Sequence, residues 1–186
     1  GTTETETTKE NKTGFVLTFD NDDTEAKIIY PGGKEVKIAS DATLYKWEEV
    51  NVINGWVSIQ LDNVAQAKLA KLAETKYTDN GEIYHKSSDI WLESLADIKV
   101  ITKFTDIALR NGSVLSISEN EMSTTAYLLK GFAEISNKAG KSTVLAPGQK
   151  ISISRMDAKN EDFDAKLAKA DIDDYYKQLD WFIKNN

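Results

Sequence analysis

Two stretches of this chain read as copies of one another, and this constrains the fold more than any single motif, because a repeated block packs as repeated structure. Tyr30-Pro31-Gly32-Gly33-Lys34-Glu35-Val36-Lys37-Ile38 matches Leu109-Arg110-Asn111-Gly112-Ser113-Val114-Leu115-Ser116-Ile117, glycine on glycine and isoleucine on isoleucine. Further on, Val52-Ile53-Asn54-Gly55-Trp56-Val57-Ser58-Ile59 matches Leu128-Leu129-Lys130-Gly131-Phe132-Ala133-Glu134-Ile135. In both, apolar residues end one strand, a polar-Gly pair turns the chain, and an aromatic opens the next alternating series. Read locally, that is hairpin chemistry.

Around these matches the chain alternates as half-buried strands do: Phe15, Leu17 and Phe19, then Ala26, Ile28 and Tyr30, and later Ile98 and Val100, Ile107 and Leu109, Ile151 and Ile153. Two patches differ. Asn63 with Gln66 as a capping pair, followed by Ala65, Leu69, Leu72 and Ala73 at helical spacing, predicts a helix over about 63–76. Ser88 to Leu95 fits either a short helix or a strand carrying Trp91. Near the end, Asp171 or Asp173 caps a helix over about 171–184 that places Ile172, Tyr175, Tyr176, Leu179, Phe182 and Ile183 on one face. The expected architecture is mainly β: two pseudo-repeated antiparallel units, 14–61 and 98–154, packed as a sandwich or jelly-roll-like β-roll, with a helical insertion. Residues 1–13 read as a polar stalk, 14–156 as the β domain, and 157–186 as a charged linker leading to an amphipathic helix.

With 186 residues, 40% of them hydrophobic and 28% charged, the chain supports one packed domain. The net charge of −7 and the lack of a basic cluster argue against a nucleic-acid partner. No apolar run is long enough to cross a bilayer. The Thr- and Glu-rich start reads as a segment just behind a removed signal or anchor. There is no cysteine, which excludes disulfides, thiolate metal sites and cysteine nucleophiles.

Leu109-Arg110-Asn111-Gly112-Ser113-Val114-Leu115-Ser116-Ile117, followed by the Pro147-Gly148 turn, resembles the FecR-like family of bacterial envelope domains, with Asn111 where the family usually has Asp. The resemblance is best over about 98–153, and a weaker copy spans about 14–61. It implies an extracytoplasmic β domain, in the periplasm or at the cell surface and held by a membrane anchor, acting as a sensor, signal transmitter or wall-associated module. The cytoplasmic anti-sigma segment and membrane helix of the family's type member are not in this sequence.

Chemistry-bearing residues are sparse. His85 is the single histidine, and Ser87, Ser88 and Asp89 beside it suggest a triad only superficially, because triad members converge from distant positions. One histidine cannot build a cupin-type metal cluster. The Asp20, Asp22 and Asp23 run lacks the glycine and terminal glutamate of a calcium loop and reads as a solvated turn. No cofactor or metal is expected. Of four tryptophans, Trp56 is assigned to the core through its counterpart Phe132, whereas Trp47 and Trp91 stand in polar surroundings and are the candidate ligand platform. Tyr175, Tyr176, Leu179 and Phe182 form the candidate partner-binding helix face, with docking on the chain's own sheet as the competing reading. The first functional expectation is a non-catalytic binding or signal-transmitting module that engages an envelope protein. The second is a carbohydrate or cell-wall binding module, and the third a hydrolase.

Overall fold

The computed structural model describes residues 14–186; the expected stalk, 1–13, lies outside the described residues. Seventeen strands dominate it. The first copy contributes β1 (Gly14–Phe19), β2 (Glu25–Ile29), β5 (Glu49–Asn54), β6 (Val57–Leu61), β7 (Ala65–Leu69) and β8 (Glu74–Tyr77), with β3 (Glu35–Ile38) and β4 (Ala42–Tyr45) inserted after β2. The second copy contributes β11 (Thr105–Leu109), β12 (Val114–Glu119), β13 (Ser123–Lys130), β14 (Ala133–Asn137), β15 (Ser142–Leu145) and β16 (Gln149–Ser154). Between the copies run the long β9 (Glu82–Ser94) and the short β10 (Ile98–Ile101).

The strands form two layers. In the front layer β4, β1, β6, β7, the second half of β9, β12, β13, β16 and β17 (Lys169–Asp171) lie side by side. In the back layer the order is β3, β2, β5, β8, the first half of β9, β10, β11, β14 and β15. Alternation points Phe15, Leu17, Ile28, Val50, Ile59, Leu69, Ile107, Leu115, Leu128 and Ile135 into one core shared by both copies. β9 belongs to both layers and turns from one to the other at Ser88, which has φ 66°.

The repeat is real, but its register differs from the one read in the sequence. In the first copy Leu17 faces Ile59 and Phe19 faces Val57; in the second Ile107 faces Ile135 and Leu109 faces Ala133. Both copies carry the same register shift, between Glu25 and Ala26 in one and between Val114 and Leu115 in the other. Thr24 is therefore the counterpart of Ser113, and the Tyr30-to-Ile38 hairpin belongs to an insertion that the second copy lacks. Glycine-on-glycine matching had paired two unrelated turns.

Asn54-Gly55 and Lys130-Gly131 are not hairpins either. Each carries the chain from one layer to the other, since β5 and β6 never pair, nor do β13 and β14. Each glycine packs against a hydroxyl-bearing corner. Thr24 Oγ1 donates to Trp56 O at 3.2 Å and accepts from Trp56 N at 3.3 Å. Ser113 Oγ does the same with Phe132 O and N, at 3.1 and 2.9 Å. A Cβ on Gly55 would sit 2.8 Å from Thr24 Cα, and one on Gly131 2.7 Å from Ser113 Cα, so only glycine fits.

No helix spans 63–76. Ala65, Ala67 and Leu69 also alternate, and β7 buries them between β6 and β9, so tertiary pairing overrides the helical preference of Ala, Gln, Lys and Leu. Of the Ser88-to-Leu95 stretch, all but Leu95 is strand, the second half of β9. The C-terminal part also departs from one continuous helix. Residues 157–169 are not a free linker: Ala158 and Ala165 join the core, Asn137 Nδ2 donates to Asp157 O and Asn160 O at 2.9 Å each, and α1 (Ala165–Ala168) packs on β15 and β16. After β17, Asp173 caps α2 (Asp174–Lys177) by accepting from Tyr176 N at 2.8 Å, and α3 (Asp180–Asn185) follows a break at Gln178 and Leu179. Among the described residues no helix is long and apolar enough to cross a membrane.

Candidate functional site

An open groove of about 890 Å³ lies at the seam between the copies. Leu72 and Glu74 border it from the first copy, Glu119 and Lys138 from the second, and the bend of β9 and the Ile101-to-Lys103 turn lie between them. Its rim mixes charges: Lys103, Glu121 and Lys86, the last paired with the buried Glu49. Lys138 is committed to Thr105 O at 3.1 Å and to the Asp106 carboxylate at 3.0 Å.

His85 lies beneath the groove wall and is fully buried. Nε2 is 2.7 Å from Ser88 O, a carbonyl that can only accept, so Nε2 carries the proton and Nδ1 accepts from Thr75 Oγ1 at 2.9 Å. Burial lowers its pKa to about 4, against the hydrogen bond to Ser88 O, which favours the charged form. The ring is thus neutral and spans the corner where β9 changes layers. Ser88 Oγ donates to Lys71 O at 2.6 Å, and Asp89 faces Ser118 across β12. Burial raises the Asp89 carboxyl, opposed by its bond with Ser118. Three residues adjacent in sequence therefore serve three separate contacts and do not converge as a triad.

The second buried ionisable group is Glu119, which sequence reasoning passed over. Both its oxygens accept from Thr124 Oγ1, at 3.0 and 2.8 Å, and Thr124 continues through Thr102 to Thr105, each hydroxyl pair 2.7 Å apart. Burial pushes its pKa up to about 7, although the Thr124 and Thr102 hydroxyls and the Lys103 charge favour the carboxylate. No local signal marks this cluster, because its members come from three strands and a turn. Among the described residues no group of His, Asp and Glu is placed to hold a metal ion.

The tryptophan platform is not assembled. Trp47 is 44% exposed, at φ 71°, with Nε1 donating to Asp79 at 2.8 Å. Trp91 is only 3% exposed, on the outer face of the front layer, so it offers no free ring face. Trp56 is half-buried in the same outer cluster rather than in the main core, edge-on to Trp181 at 5.2 Å with Lys184 over its ring.

The expected partner face of the terminal helix is largely used within the chain. Tyr176 is buried, stacked on Tyr127 at 3.7 Å and within 2.6 Å of Ser116 Oγ through its hydroxyl. Trp181 Nε1 donates to the same oxygen at 3.3 Å, and Phe182 packs edge-on against Trp91 at 6.1 Å. Burial raises the Tyr176 phenol well above its ordinary value and that of Tyr127 to about 12. Leu179 is half-buried at the break, and Tyr175, 76% exposed, points away. The α2–α3 segment is a strap over the front layer. The break is what lets Tyr176 and Trp181 both reach Ser116, which one straight helix, with the two residues five positions apart, would not favour.

No family model matches the chain, and no protein of curated function matches it either.

Proposed function

We propose that this chain is a non-catalytic binding module of the FecR-like kind, the extracytoplasmic part of an anchored bacterial envelope protein, and that its seam groove grips an extended segment of a partner protein. The observation that carries this reading is the groove's construction: its walls come from both copies, so a bound segment bridges the two halves of the roll. Leu72, Ile101 and Tyr84 supply apolar contacts, and Lys103 and Glu121 supply opposite charges at the rim. The locked His85 and the dispersed Ser88 and Asp89 favour binding over hydrolysis. Asn111-Gly112-Ser113, the turn that carries the FecR-like resemblance, lies where the second copy crosses layers, with Ser113 bonded to Phe132 and packed on Gly131.

The test is site-specific photo-crosslinking in envelope preparations of the source bacterium, with the probe at Tyr84 or Lys103 in the groove and at Val16 as an exposed control. The reading expects a discrete protein adduct from the groove positions alone. Adducts spread equally over all three positions would sink it. Co-sedimentation with cell-wall sacculi that disappears in Trp47→Ala would instead favour the glycan reading.

A further inference from the structure

A second, smaller cavity lies on the opposite side of the front layer from the core, under the end of the strap. It measures about 230 Å³ and is bordered by Gln66, Lys68, Trp91, Glu93 and Asn185. The β7–β9 register sets Gln66 opposite Glu93 and Lys68 opposite Trp91, which brings these four side chains to one patch of the outer face, between the inward-pointing Ala65, Ala67 and Leu69. Asn185, at the end of α3, closes the patch from above.

Two buried polar atoms here find no partner within the protein: Trp91 Nε1, a donor, and Asn185 Oδ1, an acceptor. The amide orientation is set independently, because Asn185 Nδ2 donates to Trp181 O at 2.8 Å and so leaves Oδ1 as the unmatched end. Buried groups are almost always paired, and an unmatched one costs roughly 1–3 kcal/mol. Trp91 and Asn185, which carry the unmet donor and the unmet acceptor, both border this pocket. A hydroxyl, which accepts and donates at a single oxygen, answers both.

We propose that this pocket binds one neutral sugar unit, with a ring hydroxyl accepting from Trp91 Nε1 and donating to Asn185 Oδ1. Neighbouring hydroxyls meet Gln66, Lys68 and Glu93, which between them offer donors and acceptors; Lys68 and Glu93 form no ion pair among the described residues. The volume is below the roughly 300 Å³ at which drug-sized pockets begin, which suits a single ring rather than a chain of them. A zwitterionic amino acid would be read by Lys68 and Glu93, but Glu93 is exposed, and ion pairs in water contribute little. The energetic stake lies with the neutral indole N–H and amide oxygen. Recognition is by hydrogen bonds, not stacking, since the Trp91 ring is covered by Phe182. The site is separate from the seam groove and does not depend on what fills it.

The test is titration of the full chain, followed through its tryptophan indole N–H resonances, with the Trp91 signal assigned by its loss in Trp91→Phe. Glucose, galactose and N-acetylglucosamine are the probes, and free glycine is the zwitterion control. The expected result is a saturable shift of the Trp91 resonance with at least one sugar, weakened about tenfold or more in Asn185→Ala, the cost of one buried hydrogen bond. Gln66→Ala, on the exposed rim, provides a second variant should Asn185→Ala loosen the strap. A Trp91 resonance unmoved by all three sugars, which leaves only a bound water, overturns the proposal. So does a shift produced by glycine and by no sugar.

Discussion

At the crossing from β15 to β16 the chain turns through Pro147-Gly148; at the matching crossing in the first copy, from β7 to β8, it turns through Lys71-Leu72. The backbone is the same. Gly148 N donates to Leu128 O at 2.8 Å and Leu72 N to Val52 O at 2.9 Å, and both residues sit at positive φ, 89° and 69°. Gly148 adopts that conformation freely, whereas Leu72 does so at a cost of roughly 1–2 kcal/mol, with its side chain 60% exposed. One geometry is thus reached by favourable turn chemistry in one copy and imposed by surrounding strand pairing in the other. The comparison teaches that the roll is specified by its layer-crossing corners and buried alternation, and that turn residues are negotiable where the pairing is strong enough.

The interiors diverge in a parallel way. Phe15 of the first copy, edge-on to Tyr77 at 4.9 Å, occupies the place of Thr105, whose hydroxyl belongs to the Glu119 cluster. Conversely, Thr75, which bonds His85, faces Val50 where Ile151 faces Ala126 in the second copy. Each copy carries one buried polar network at the seam, on different strands.

The largest effect should come from the corners that do not diverge. Gly55→Ala and Gly131→Ala each drive a Cβ against backbone, and each should cost about 3 kcal/mol or more, read as a shift in chemical denaturation midpoint. Equal losses in the two variants support equivalent corners; a tolerated alanine in one would break the equivalence.

Proton linkage comes next. His85 sits at about 4 against an ordinary 6.5, so between those values the unfolded chain binds more protons. The stability it contributes is complete above its unfolded value and is lost as pH falls through about 4, at most about 3 kcal/mol. Glu119, at about 7 against 4.5, has the opposite sign: its contribution is complete below its unfolded value and is lost as pH rises through about 7. The two ranges overlap with opposite signs, so the slopes largely cancel between 4.5 and 6.5, and denaturation should show a broad plateau that falls away towards about 4 and towards about 7. Glu119→Gln should remove the alkaline limb, a gain of about 2 kcal/mol at pH 8 relative to the parent, and leave the acid limb in place. An unchanged alkaline limb would show that Glu119 is not its source.

The smallest effect is the most direct test of the turns. Leu72→Gly should stabilise by about 1 kcal/mol, relief of positive φ offset by the chain entropy glycine brings. Gly148→Ala should lose about the same amount. Equal signs in the two variants would mean that the crossings are not equivalent.

Repetition itself was legible in the sequence, because Asn54-Gly55-Trp56 and Lys130-Gly131-Phe132 share spacing and chemistry along one stretch of chain. The first half of the alignment failed because turn glycines recur for unrelated reasons, and nothing local distinguishes a hairpin at Gly32-Gly33 from a layer crossing at Gly112. The 63–76 segment failed because Ala65, Ala67 and Leu69 satisfy both periods, and Leu72 hides a turn that Gly148 announces. Of the candidate residues, Trp47 is exposed as expected, Trp91 and Tyr176 are covered, and Glu119 and Asn185 were missed.

Strand alternation, the mainly β class, the duplicated block and an aspartate cap at 171 or 173 follow from the order of residues, because each rests on contacts within a few positions of chain; the structure places the cap at Asp173. Layer membership, the seam groove, the neutral His85, the raised Glu119 and the strap over Trp91 were decided only by tertiary structure. They depend on which strands lie side by side, and burial, which sets both proton affinity and hydrogen-bond need, exists only once those strands have met.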